Sequence, residues 1–138
     1  MKALSRALKR VLVGEAEAVP PDLVRSWPEL AGIRLRRGGL LVRIAGWPLG
    51  QSTAAGITIR RTVFLAPRVE PDAELLLHEL RHAQQFEADL AFPLRYLVES
   101  LRRGYTNNRY EQDANRYVRE RLAAARRPAV KEGSAPRR

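Results

Sequence analysis

The chain contains no cysteine and only two histidines in 138 residues. The missing cysteine excludes a disulfide framework and any thiolate metal site, and it leaves the redox compartment unspecified. Acidic charge is also scarce: 15 aspartates and glutamates face 25 lysines and arginines, a formal net charge of +10. Such a balance attracts anions. The expected partners are a nucleic acid, an acidic membrane surface or an acidic protein, with tolerance of acidic substrates; the plainer alternative is a basic face that only keeps the chain in solution. No apolar run reaches the length of a transmembrane segment. Lys2, Arg6, Lys9 and Arg10 interrupt the first hydrophobic residues, which is unlike a signal peptide, so a cytoplasmic location is expected.

What remains is an ordinary globular composition, 45% apolar, in a length that supports one modest core. Leu4, Ala7, Leu8, Val11 and Leu12 recur at helical spacing with the basic residues opposite. Residues 1–20 therefore hold a short amphipathic helix, ended near Gly14 or by the prolines that follow Val19, expected to pack on the domain, although a basic membrane-surface helix has the same pattern. From Ile33 to Leu65 the texture changes to β-branched and aliphatic residues punctuated by Gly38, Gly39, Gly46, Pro48, Gly50 and Gly56. This predicts a small sheet of three or four strands that includes "GLLVRIAG", with a turn over 52–56. Residues 57–65 fit either one bent strand or a hairpin through Arg60-Arg61.

Three helices should follow. Asp72 is a natural N-cap for the first, running to about residue 88; Pro93 opens the second, whose stripe is Leu94, Leu97, Val98 and Leu101 before Gly104; the third starts at Asn107 or Asn108 and stops at Pro128. The order is α+β, with the main domain over 21–127 and a disordered basic tail over 128–138.

Both histidines lie in "LLLHELRHAQQ". His78 and His82 stand at i and i+4, so their rings leave one side of the helix a turn apart and can each give a nitrogen to one ion. Glu79 lies one position round the helix, in reach of a water at the ion but angled away from being a ligand. Chance coincidence is the competing account. Solvated histidines fit poorly, because Leu75, Leu76, Leu77, Leu80 and Phe86 make this the most apolar helix of the chain. With no cysteine and no further histidine, a third ligand has to be a carboxylate. Glu111 stands in line with Ala114, Val118 and Leu122, where a carboxylate is costly unless paired or bound to a metal. The alternative is that Glu111 folds back on the Asn108 cap.

"HELRHAQQ" followed by "YEQDAN" resembles the gluzincin class of zinc metallopeptidases, and also small domains with an H-E-x-x-H-x-x-Q pattern, in which Gln85 fills the last place. The resemblance spans roughly residues 40 to 122. It implies a zincin-like fold, a zinc ion on His78, His82 and Glu111, and Glu79 as the general base that hydrolyses a peptide or protein substrate. It also implies that a sheet edge above the zinc binds substrate as an added strand, for which residues 62–67 are the candidate. Tyr105 and Tyr110, just ahead of the ligand helix, are candidate donors to the oxyanion. The family's aspartate four residues after the ligand glutamate is Asn115 here, which can accept a hydrogen from a ligand histidine but carries no charge. Asp113 would compensate only by turning inward, which its helical position disfavours. Two other readings remain: a non-catalytic, metal-containing interaction module of a larger assembly, and a basic nucleic-acid-associated protein built on Arg102, Arg103, Arg109, Arg116, Arg119, Arg126 and Arg127.

Overall fold

The computed structural model describes residues 2–45 and 55–127. The tail 128–138 and most of the turn expected over 52–56 lie outside the described residues. The elements run α1 (Lys2–Val13), β1 (Glu15–Glu17), α2 (Pro21–Ser26), a 3-10 turn (Pro28–Gly32), β2 (Arg34–Arg37), α3 (Leu40–Ala45), β3 (Gly56–Ile59), β4 (Thr62–Leu65), α4 (Ala73–Ala88), α5 (Phe92–Arg103) and α6 (Arg109–Arg126). This is an α+β layout around one small mixed sheet.

The sheet has the order β1-β2-β4-β3. β2 pairs in parallel with β4, while β1 and β3 pair antiparallel on the two outsides. The open question over 57–65 resolves as a hairpin. Arg60 takes a positive φ of 55° at its tip, a tight turn between two short strands. Because β4 is paired on both sides, the segment expected to offer a free edge is interior. Among the described residues the outer edges belong to β1 and β3, and it is β3 that borders the cleft lined by α4, α5 and α6.

Two further expectations fail for local reasons. "LLVRIA" forms helix α3, not a strand. Gly38 and Gly39, at φ 73° and 88°, take the chain through left-handed turns that an extended strand cannot follow. The short apolar run beyond them fits either period. The missing strand comes instead from β1, inside the first 20 residues.

The core forms where alternate residues of the sheet meet α4. Leu35, Val63 and Leu65 point to the same face as Leu76, Leu77 and Leu80, joined by Leu30, Ile33 and Val118. The stripe Leu94, Leu97, Val98 and Leu101 on α5 is exposed, and it is Phe92 and Ser100 that are buried. α1 also differs from expectation. Every side chain from Ser5 to Leu12 is exposed, so its apolar stripe does not pack on the domain.

Candidate metal centre

Helix α4 carries both histidines because its ends and one face are already fixed. The Asp72 carboxylate accepts from the Leu75 amide at 2.8 Å, an N-cap as expected. Leu76, Leu77 and Leu80 are buried against the sheet, which turns positions 78 and 82 sideways toward α6. α6 begins at an Asn108 cap whose side-chain oxygen accepts from the Tyr110 amide at 2.9 Å. Glu111 sits one turn in and does not fold back on that cap.

Glu111 instead meets both rings. His78 Nε2 lies 3.1 Å from Glu111 Oε2, and His82 Nε2 lies 3.1 Å from Oε1. The two Nε2 atoms are 3.1 Å apart. Ligands bonded tetrahedrally to zinc at about 2.0–2.1 Å are themselves about 3.3 Å apart, close to the separation of the two Nε2 atoms and of each from its nearer carboxylate oxygen. Among the described residues this is the group of three side chains that could hold a metal ion.

The chemistry of the donors agrees with the spacing. Gln85 Nε2 donates to the Tyr110 carbonyl at 3.1 Å and to Asp113 Oδ2 at 2.9 Å. Both partners only accept, so the amide is oriented with Oε1 toward His82 Nδ1, 2.8 Å away. In the neutral ring the proton therefore sits on Nδ1, and Nε2 presents a lone pair to the site, as a ligating imidazole must. Glu111 Oε2 is buried and accepts no hydrogen bond. A buried carboxylate oxygen with no donor, beside the ring of His78, is satisfied by a cation.

The electrostatics carry the same imprint. Burial alone would raise the Glu111 pKa, but His78, His82 and the Tyr96 hydroxyl outweigh it and hold the carboxyl well below the usual range. Burial alone would lower the pKa of His82; Glu111, with Glu79 and Gln85, reverses this and leaves it raised. Asp113 is depressed to about 2, chiefly by its hydrogen bond from Arg81, with Gln85 and Arg116 adding to it. Arg81 Nε donates to Asp113 at 2.7 Å and Arg116 Nη2 donates at 2.7 Å. Asp113 thus does turn inward, and it acts on His82 through Gln85.

Other residues divide less evenly. Glu79 is buried; the Thr58 hydroxyl donates to its Oε2 at 2.5 Å. Gly56 lets the strand come this close, since a Cβ there would stand 3.3 Å from Glu79 Oε1. Asn115 lines the same cleft but makes no hydrogen bond to either histidine among the described residues. Tyr105 lines the cleft. Tyr110 does not; it packs edge-on against Phe92, and its hydroxyl accepts from Arg109 at 3.0 Å.

Tyr96 was not anticipated. Its hydroxyl donates to Glu111 Oε1 at 2.6 Å, and burial, followed by the Glu111 charge, pushes its pKa up so that it stays protonated. His82 stacks on Phe92 and meets Tyr96 edge-on. The i, i+4, i+8 run Phe92, Tyr96, Ser100 was a signal for this inner face, hidden by the stronger aliphatic stripe opposite. The cleft itself measures about 1130 Å³, lies between β3 and helices α4 to α6, and has room for several residues of an extended peptide. This chain matches no family model, no curated protein and no solved structure, so the α+β layout and the His78, His82 and Glu111 group stand on their own geometry.

Proposed function

We propose that this protein is a zinc-dependent peptidase of zincin-like fold. The observation that carries the reading is the convergence of His78 Nε2, His82 Nε2 and the orphaned Glu111 oxygen in a cleft that also holds Glu79 and a free strand edge. His78, His82 and Glu111 would hold the ion. When bound, zinc supplies Lewis acidity to a water and to the scissile carbonyl.

The rest is the work of the chain's own groups. The outer edge of β3, which no described strand pairs, offers its backbone groups to an extended peptide, which adds as a further strand beside the cleft. The Thr58 hydroxyl holds Glu79 by Oε2 and leaves Oε1 free. Oε1 takes a proton from the attacking water and passes it to the leaving amine nitrogen. Tyr96 fixes the Glu111 carboxylate, and Gln85 fixes the tautomer of His82. Tyr105 on the cleft wall is the better placed of the two proposed oxyanion donors. Phe86, Phe92, Pro93 and Leu97 line one end, which suits an apolar side chain of the substrate and excludes water.

The test is Glu79→Gln in zinc-loaded protein, assayed on a mixed peptide library by mass spectrometry. The expected result is unchanged zinc content with cleavage slowed about 100- to 10,000-fold. Equal cleavage by the variant would remove Glu79 as base. A zinc-loaded wild type that cuts nothing in the library would remove the peptidase reading altogether.

A further inference from the structure

The geometry points to a second working surface: the face shared by α1 and α3 binds anionic lipid bilayers. α1 has four basic residues and no acidic one in its 12 residues. Leu8, Val11 and Leu12 share one side of it, and the structure leaves them exposed, Leu8 by 58% and Val11 by 64%. A helix this amphipathic normally buries its stripe. Here the stripe is turned outward.

α3 extends the same surface. It lies beside α1, and the junction is close: a Cβ on Gly39 would stand 2.9 Å from the Leu12 carbonyl oxygen. Leu40 and Ile44 of α3 are exposed as well. Arg36 donates to the carbonyls of Val13 and Gly14 at 3.0 and 2.8 Å, which fastens the C-terminal end of α1 to the sheet. The helix is thereby held against the body at one end, with its length free for another phase.

Charge selects that phase. Arg6, Lys9 and Arg43 are exposed and have no acidic partner among the described residues. Aliphatic residues rimmed by unpaired cations match a bilayer interface, where the stripe enters the acyl boundary and the cations meet anionic headgroups. A second copy of the chain would bring like charge against like charge. A protein partner would be expected to find an aromatic anchor, and none of the described patch residues is aromatic.

The test is flotation of the full chain with vesicles of phosphatidylcholine alone and of phosphatidylcholine mixed with phosphatidylglycerol. Because the chain lacks cysteine, Leu8→Cys also accepts a single environment-sensitive dye. The expected result is binding to the mixed vesicles only, weakened by salt, with a blue shift of the dye. The doubles Leu8→Ser/Leu12→Ser and Arg6→Glu/Lys9→Glu should each weaken partitioning at least about tenfold. The control Arg126→Glu/Arg127→Glu should change it less than about threefold. Circular dichroism and zinc content report that each variant is folded. The proposal is overturned by no binding to the mixed vesicles, by full binding of the Leu8→Ser/Leu12→Ser variant, or by equal loss in the control. It is also overturned if the dye is already blue-shifted without lipid, whether in a monomer or in a dimer. None of these outcomes bears on the peptidase reading.

Discussion

The two sides of the metal group are built differently. On the His82 side the ring is buried, stacked on Phe92, and held by Gln85, which Asp113 holds in turn with two arginines behind it. On the His78 side the ring is more open, and Asn115 on the cleft wall makes no hydrogen bond to it among the described residues. Both rings contribute an Nε2 at the same 3.1 Å from Glu111. Equal ligand geometry therefore rests on unequal support. A ligand that is oriented before the metal arrives costs less to bind, so His82 and Glu111 should carry the affinity and His78 should complete it.

The sharpest way to break that contrast is to remove the well-supported ligand. His82→Ala or Glu111→Ala should abolish stoichiometric zinc by elemental analysis, whereas His78→Ala should leave weak, measurable binding. Equal loss from all three would show that support does not matter. Next in size is the support itself. Gln85→Leu should weaken zinc about 10- to 100-fold, because His82 loses the acceptor that fixes its tautomer. Competition with a chelating dye measures it, and an unchanged affinity would refute the relay from Asp113.

The same contrast predicts a pH effect that depends on the metal. The His82 pKa in the metal-free fold is raised above its ordinary 6.5. A raised folded pKa gives stability that is complete below the unfolded value and is lost as pH rises through the folded one. Metal-free protein should therefore lose stability as pH climbs above 6.5. Zinc needs the unprotonated ring, so its contribution grows over that interval. Thermal melts should therefore fall with pH there without zinc and stay level with it, because neither the zinc-bound nor the unfolded chain then holds the proton. Parallel slopes would mean that His82 does not take part.

How much of this was legible in the sequence depends on where the information lay. Asp72, the leucines of α4 and the two histidines all lie within a few turns of one another, so local rules were enough. Glu111 was legible because a carboxylate in an apolar stripe needs a reason. Tyr96 was not, since its role depends on which face of α5 turns inward, and the richer aliphatic face turns out. The helical path of 40–45 was obscured by a run too short to have a period, and only the two left-handed glycines before it separate helix from strand. Asp113 was misread because helical position gives the direction of a Cβ and says nothing of Gln85 reaching across from the neighbouring helix.

The smallest expected effect concerns Asn115. Because it contacts neither ring, Asn115→Ala should change zinc affinity by less than about twofold, well below the range for a group that holds a ligand. Asn115→Asp is the informative partner. It restores the charge at the position where the resembling family carries an aspartate, on the cleft wall. If the open side of the site lacks only a basicity-raising acceptor, the aspartate should tighten zinc several-fold, and the gain should disappear in His78→Ala protein. A gain that survives without His78 would come from added negative charge alone. A loss in Asn115→Ala as large as that of Gln85→Leu would show that the two sides of the site are supported alike.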